Sequence, residues 1–146
     1  MDLDLTLFER LGTLIFSHKL DKTTFRLGVF YTFNNVQFFA APADDKKVYI
    51  FSTAAGNSQW ALKATATFKK KISCCSFGVT SNKTLELLCG DKFGDVYSVD
   101  NVIQYVGNAS AQEVKNLVLR MGHVSSLTDM VCACLNQYCR CANFLP

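Results

Sequence analysis

The chain has 146 residues, of which 49% are hydrophobic and 18% are charged, and its formal net charge is +3. This composition excludes an intrinsically disordered chain, and its mild charge does not by itself require an acidic partner. No apolar run approaches the ~18 residues that would span a bilayer, and Met1–Asp4 is acidic where an export signal would be basic. We therefore expect a soluble, intracellular protein whose seven cysteines are reduced thiols.

The first third of the chain predicts short strands. Leu3–Phe8 and Thr13–Ser17 each suit a strand, and a stretch of alternating apolar residues follows them. The alternating residues, which we expect on one buried face, are Phe25, Leu27, Val29 and Tyr31. Asn34 and Asn35 predict a turn because asparagine tolerates the left-handed backbone conformation.

Two apolar strands then flank a charged turn. Val36–Ala41 is a nearly unbroken apolar run, which indicates a strand buried on both faces. The polar residues Asp44–Lys47 turn the chain into a further strand at Val48–Phe51. Trp60–Phe68 predicts a strand that joins this unit to the next one.

The same succession recurs 48 residues later. Asp91–Asp100 echoes Ala43–Ser52, and Leu85–Cys89 aligns with Gln37–Ala41 at the same offset. The remaining predicted parts of the second unit are a strand at Ile72–Val79, a turn at Ser81–Lys83, a tight turn at Asp91–Asp95, a connection at Asn101–Gln112 and a strand at Val114–Met121. A third unit opens at about Asp129.

A repeat of four short strands per 40–50 residues is typical of a β-propeller blade, whereas a β-sandwich would not repeat one turn at one offset. We therefore predict an all-β fold, a partial WD-repeat β-propeller of about three blades in one domain. Its predicted parts are N-terminal strands at 1–24, a first clear repeat at 25–54, a second repeat at 60–100, and an incomplete third repeat with a divergent tail at 114–146.

Short motifs carry a family resemblance. Gly122-His123 is similar to the Gly-His pair of WD repeats, and Val99-Asp100 occupies the place of their closing Trp-Asp pair. Three stretches resemble the WD-repeat non-catalytic subunit of the tRNA (guanine-N(7)-)-methyltransferase. They are Lys46–Phe51, Cys89–Ser98 and Gly122–Met130, and the middle one is the most specific.

The resemblance implies a seven-bladed scaffold with no active site and no cofactor of its own. The implied partner is a methyltransferase catalytic subunit, held in a heterodimer, which methylates tRNA with S-adenosylmethionine. The tRNA is reached through the complex, and the implied location is the nucleus, with the cytoplasm as a second possibility. A generic WD-repeat adaptor for another protein complex remains the alternative function.

The end of the chain departs from the family pattern. Seven blades need about 300 residues, so this chain has room for about three of them. Cys139–Pro146 stands where the family has a charged turn that faces the methyltransferase. We therefore expect a chain truncated after about three blades, for which a non-functional isoform is a further alternative.

Four cysteines in the tail are the candidate metal ligands: Cys132, Cys134, Cys139 and Cys141. Structural zinc usually binds cysteines separated by two to four residues, whereas these form Cys-x-Cys pairs, so the pattern favours free thiols and no bound metal. No nucleophile–base pair is visible, so we expect no catalytic residues.

Other residues suit structural or binding roles. We expect Asp91, Gly94 and Asp95 to shape a turn, and Gly122 and His123 to tie a strand to its sheet. A candidate RNA-facing basic patch is formed by Lys63, Lys69, Lys70 and Lys71. The competing interpretation is that these lysines guard strand ends against edge pairing.

Overall fold

The computed structural model describes residues 4–8, 14–19, 22–54, 56, 58–122, 129–133 and 138–142. Within these ranges the chain forms β-strands and one short 3-10 helix, Val102–Tyr105. The strands are β1 (Asp4–Phe8), β2 (Leu14–Lys19), β3 (Val29–Phe33), β4 (Val36–Pro42), β5 (Lys47–Thr53), β6 (Trp60–Thr67), β7 (Ile72–Val79), β8 (Leu85–Asp91), β9 (Val96–Val99), β10 (Gln112–Glu113), β11 (Leu117–Met121), β12 (Asp129–Ala133) and β13 (Tyr138–Ala142). The predicted all-β class is confirmed.

Two sheets dominate the described chain. The first has the order β10-β6-β5-β4-β3, and the second has the order β11-β9-β8-β7. In both, sequential strands pair antiparallel, and only β10 joins its neighbour β6 in parallel. The ribbons β1-β2 and β12-β13 form separate two-stranded sheets. Successive four-stranded antiparallel sheets are the blades of a propeller, so the partial WD-repeat propeller is the architecture of this chain.

The 48-residue repeat is visible in the backbone of the two charged turns. The amide of Ala43 donates to the carbonyl of Lys47 at 2.9 Å, and the amide of Asp91 donates to that of Asp95 at 2.9 Å. The fourth residue of the turn has a positive φ in both copies, 65° at Lys46 and 96° at Gly94. Glycine adopts this conformation without strain, so Gly94 suits this place in the turn.

The main core lies between the two sheets. Phe38 from β4 and Phe77 from β7 meet across it with ring centroids 6.1 Å apart, and Ile50 and Leu87 are fully buried there. The middle of each of β4, β5 and β8 is buried on both faces, and it is apolar without alternation at residues 38–41, 48–51 and 87–90. The strand expected at Val36–Ala41 is therefore confirmed, including its burial on both faces.

A second apolar cluster covers the opposite face of the first sheet. Its centre is Phe39, Phe51 and Trp60, each less than a tenth exposed. The ring of His18, in β2, meets Phe51 edge-on at 5.2 Å, so the β1-β2 ribbon lies on this side. This packing places the N-terminal strands where a preceding blade would be.

One expectation about burial is wrong. Leu27 is 92% exposed, and β3 begins only at Val29. Val29 pairs with Ala40 and Phe25 bridges Ala43, so this side has one extra residue, which shifts the alternation next to the closely packed Gly28. The chain before Gly28 therefore leaves the regular strand, and the alternation of apolar residues does not continue onto a single face.

The boundary between the two sheets lies one strand later in the chain than the boundary between the two sequence repeats. The sequence places Trp60 at the start of the second repeat, but β6 pairs with β5 and completes the first sheet. The change of sheet falls at residues 68–71, between β6 and β7. The last strand of the second sheet begins at Leu117 and not at the expected Val114, because residues 112–114 are drawn to the first sheet.

Candidate functional site

The charged turns and the β6-β7 connection meet at one end of the two sheets. We call this end the turn face and define it as residues 26, 43–47, 68–71 and 91–95. Two backbone bonds join its parts: the amide of Phe68 donates to Lys46 at 2.9 Å, and that of Lys92 donates to Lys71 at 3.4 Å. It carries seven cationic side chains and four carboxylates. The cations are Arg26, Lys46, Lys47, Lys69, Lys70, Lys71 and Lys92, and the carboxylates are Asp44, Asp45, Asp91 and Asp95.

Asp44 ties the two sheets together on this face. Its Oδ1 accepts a hydrogen bond from Arg26 Nε at 2.9 Å and lies 3.8 Å from Lys71 Nζ. The hydrogen bond from Arg26, together with the charges of Arg26 and Lys71, lowers the pKa of Asp44 below its usual value. Since Arg26 precedes the first sheet and Lys71 the second, this carboxylate bridges neighbouring blades.

Lys70 contacts two residues of the second charged turn, Asp95 and Phe93. Its Nζ lies 3.5 Å from Asp95 Oδ2 and 4.2 Å from the centroid of the Phe93 ring. Phe93 itself is 60% exposed. The ammonium group is therefore held over an exposed ring at the tip of the β8-β9 turn by an ion pair and a cation–π contact.

The four lysines of the predicted basic patch are not all neighbours. Lys69, Lys70 and Lys71 lie together on the turn face, and the exposed Lys46 lies beside them. Lys63 lies instead within β6, where its Nζ donates to the carbonyl of Asn108 at 3.0 Å. Contact with RNA by any of these residues stays a prediction.

Asp91 organises the β8-β9 turn. It is fully buried, and its Oδ1 accepts hydrogen bonds from the amides of Phe93 at 2.8 Å and Asp95 at 3.0 Å. Its Oδ2 is also buried and has no hydrogen-bond partner among the described residues. A Cβ on Gly122 would lie 3.1 Å from Asp95 Oδ1, so the end of β11 returns to this turn. His123 lies outside the described residues, and its structural role stays a prediction.

The first turn uses different side chains for the same purpose. Asp45 Oδ1 accepts from the amide of Lys47 at 3.1 Å, and its Oδ2 accepts from the hydroxyl of Tyr49 at 2.6 Å. Burial, and then the hydrogen bond to this carboxylate, raise the pKa of Tyr49. Ala43 stands where the second turn has Asp91, so the two copies share a backbone but differ in how it is stabilised.

Sequence reasoning missed a polar cluster on the second sheet. Arg120 of β11 lies 3.0 Å from Asp100 and 3.9 Å from Glu86 of β8, and the buried Ser98 of β9 bonds to both carboxylates. Burial is the main cause that raises the pKa of Glu86. No short-range pattern joins residues 86, 98 and 120, because only the strand register brings them together. The cluster fastens β11 to the sheet.

The cysteines of the second sheet are core residues. Cys74, Cys75 and Cys89 are buried, and Sγ of Cys75 lies 3.7 Å from that of Cys89 in the facing strand. The contact with Cys89 and burial raise the pKa of Cys75, which disfavours the reactive thiolate. Among the residues that can be described, no group of three or more His, Cys, Asp or Glu side chains could hold a metal ion.

The candidate metal ligands of the tail are only partly described. Cys132 of β12 pairs in register with Cys139 of β13, and Cys141 pairs with Met130. Cys134 lies outside the described residues. Metal binding by this set therefore stays untested. The described part of the chain also contains no helix long and apolar enough to cross a membrane.

Comparison with known proteins connects this fold to one family. No curated protein matches the chain. Residues 20–118 match the family model described as the tRNA methyltransferase TRM82 WD40 domain. The match covers both main sheets up to the start of β11, and it agrees with the resemblance found in the charged turns. The chain belongs to the TRM82 WD40 family, the WD-repeat subunits of a tRNA methyltransferase.

Proposed function

We propose that this chain is a non-catalytic scaffold subunit that stabilises a tRNA 7-methylguanosine methyltransferase. Under this proposal the catalytic subunit binds S-adenosylmethionine and transfers the methyl group, while the WD-repeat chain holds that subunit in its active form. The observation that carries the proposal is the family match over residues 20–118, which falls on the repeated blades.

The chemistry of the described side chains supports a scaffold. The thiols are buried between strands, and Tyr49 uses its hydroxyl to brace the Asp45 turn. Arg120, Glu86 and Asp100 are joined in ion pairs that fasten one strand to its sheet. These groups serve the packing and alignment of strands, which is what a binding platform requires.

The turn face supports a second part of the proposal, contact with tRNA through phosphates. Its cations exceed its carboxylates, and Lys46 and Lys69 are exposed without an ion pair in the described part of the chain. Lysines arranged in this way bind phosphates by releasing counterions, without reading bases. In the assembled complex the turn face would add affinity for tRNA but no sequence preference.

Co-expression with the cognate catalytic subunit tests the scaffold. We expect the two chains to purify together, and we expect methylation of guanine N7 in tRNA to be at least tenfold faster with this chain than without it. A catalytic subunit that purifies alone and is equally active alone would overturn the proposal.

Charge reversal in the assembled complex tests the tRNA contact. We expect Lys46→Glu with Lys69→Glu to weaken tRNA binding several-fold and to reduce the salt dependence of the dissociation constant. The matched control is Lys83→Glu with Lys115→Glu, because both lysines are exposed and lie at the opposite end of the second sheet. Equal losses in both variants would argue for a general charge effect and against a site on the turn face.

A nuclear location is also part of the proposal and rests on the family resemblance alone. Immunofluorescence of the endogenous protein tests it directly, and a purely cytoplasmic signal would remove it.

A further inference from the structure

Phe93, at the tip of the β8-β9 turn, has a ring that packs into neither apolar cluster. It is 60% exposed, and no aromatic ring contacts it within the described part of the chain. The other phenylalanine that is equally exposed there, Phe30, instead contacts the rings of Phe39 and Trp60. Single exposed apolar side chains are common on protein surfaces, so exposure alone assigns no role. The role of Phe93 follows from what holds its ring and from what surrounds it.

The two charged turns use this position differently. Asp45 is the counterpart of Phe93 at the 48-residue offset, and its carboxylate accepts the hydrogen bonds that brace the first turn. In the second turn the buried Asp91 braces the backbone, since its Oδ1 accepts from the amides of Phe93 and Asp95. The side chain at position 93 is therefore not needed to stabilise the turn, while the bond from its amide to Asp91 fixes where that side chain begins.

An ammonium group lies over one face of the ring. Lys70 Nζ is 4.2 Å from the ring centroid, and Asp95 Oδ2, 3.5 Å from the same nitrogen, holds it there. A cation–π contact occupies one face of a ring, so the opposite face remains available, in agreement with the exposure of Phe93. The turn thus offers a flat apolar surface whose position is set before any ligand binds, which lowers the entropic cost of binding.

Exposed cations surround this ring. The amide of Lys92 donates to the carbonyl of Lys71 at 3.4 Å, so the tip of the turn adjoins the β6-β7 connection that carries Lys69. Lys46 adjoins the same connection, because its carbonyl accepts from the amide of Phe68 at 2.9 Å. The side chains of residues 46, 69 and 92 are all exposed. An exposed ring among exposed cations suits a ligand that is both planar and anionic.

An unpaired nucleotide of RNA has both of these properties. Its base offers a flat π-face, and the phosphates next to it are anions. A base within a duplex is stacked on its neighbours, so the bases that can lie on an aromatic ring are those of loops, bulges and ends. Aromatic rings set among cationic side chains are the means by which proteins bind single-stranded nucleic acids without a sequence preference.

We propose that Phe93 is a stacking platform for one unpaired base of tRNA, and that Lys46, Lys69 and Lys92 contact the phosphates next to this base. The inference rests on the tRNA contact proposed above and deepens it, since phosphate contacts alone carry no information about the bases. Stacking adds no preference for one base, because every base has a π-face. The turn face therefore selects a loop or a strand end of the tRNA over its paired regions.

Binding of single-stranded RNA to the whole chain tests the stacking. The probe is an oligouridine of about ten nucleotides, and the control strand has the same length and charge but abasic residues throughout. We expect Phe93→Leu to weaken binding of oligouridine about fivefold or more, and Phe93→Trp to retain it. Phe93→Leu should leave binding of the abasic strand unchanged. It should also leave the salt dependence of oligouridine binding unchanged, because it removes no phosphate contact.

Phe30→Leu is the matched variant, because Phe30 is as exposed as Phe93 but lies in β3 opposite Phe39, outside the turn face. We expect it to bind oligouridine as the unaltered chain does. No loss in Phe93→Leu, equal losses for the two strands, or an equal loss in Phe30→Leu would overturn the proposal. So would a Phe93→Leu chain that binds oligouridine normally but no longer purifies with the catalytic subunit, because the ring would then be a contact for protein.

These measurements also separate the stacking from the functions proposed above. If Lys46→Glu with Lys69→Glu weakens binding of both strands and Phe93→Leu weakens neither, the phosphate contact stands and the stacking is wrong. If the unaltered chain binds neither strand, the stacking is again wrong, and charge reversal in the assembled complex still decides the phosphate contact. Co-purification with the catalytic subunit decides the scaffold function independently of both.

Discussion

The buried Asp91 offers the sharpest test of how the repeated turn is stabilised. One of its oxygens accepts two backbone hydrogen bonds, from Phe93 and Asp95, while the other is buried without a partner among the described residues. The first oxygen stabilises the turn, and the second has lost its hydration. Substitution at Asp91 can separate these two contributions.

The two effects have comparable magnitudes. A hydrogen bond to a charged group contributes about 1.5–3 kcal/mol, so two contribute about 3–6 kcal/mol, and an unsatisfied buried polar atom costs about 1–3 kcal/mol. Asp91→Ala removes both effects, so we expect a net loss in the free energy of unfolding of about 2.5 kcal/mol from the middle of both ranges, within limits of about 0–5 kcal/mol. Asp91→Asn keeps a weaker acceptor and removes the buried charge, so we expect a change within about 1 kcal/mol.

Urea denaturation followed by linear extrapolation measures these differences. Asp100→Ala serves as the control, since Asp100 is half-exposed and its ion pair with Arg120 lies at the surface, where the loss is below about 1 kcal/mol. A loss for Asp91→Asn as large as that for Asp91→Ala would refute the reasoning. It would mean that the negative charge itself is needed, and that Oδ2 has a cationic partner.

Three further outcomes are expected from single positions. Lys46→Gly should raise the free energy of unfolding by about 0.5–1 kcal/mol in the same urea assay, because Lys46 has a φ of 65° and the second turn has glycine there. A lower free energy of unfolding would show that the contacts of the lysine side chain outweigh the backbone strain. Asp44→Asn should lower the free energy of unfolding at pH 7. Measured as a function of pH, the difference in this free energy between the two proteins should disappear as the pH falls below 3.8 and through the lowered pKa of Asp44. A difference that is unchanged at pH 2 would contradict the role of its charge. Cys75 and Cys89 should resist alkylation in the native protein and react only after unfolding, as mass spectrometry would show, and rapid native labelling of either thiol would contradict their burial.

Local sequence could predict the strands and turns whose own residues show a recognisable pattern of apolar or turn-forming side chains. The strand expected at Ile72–Val79 is found with those bounds, because polar residues flank both ends and most of its residues are buried. Asn34 and Asn35 have φ values of 48° and 62°, as the turn prediction requires. The charged turns could be predicted because polar residues recur between apolar strands at the same 48-residue offset in both copies.

Other parts could not be predicted because distant residues determine them. β10 consists of Gln112 and Glu113, two polar residues with no strand pattern, and it becomes a strand only because the edge of β6 lies beside it. The cluster of Glu86, Ser98 and Arg120 depends on the register of three strands. The lysines at 63 and 69–71 are close in sequence, yet the turn after β6 separates Lys63 from the others.

The β9-β11 connection also explains why the two described blades should behave as one unit. Each unit of a repeat protein depends on its neighbouring units for stability. Here the two blades share a core in which Phe38 and Phe77 pack together. The connection adds a second link at the outer rim through Val114, which is almost fully buried. Detachment of β11 from β9 would therefore disturb the outer edge of the first sheet as well as that of the second.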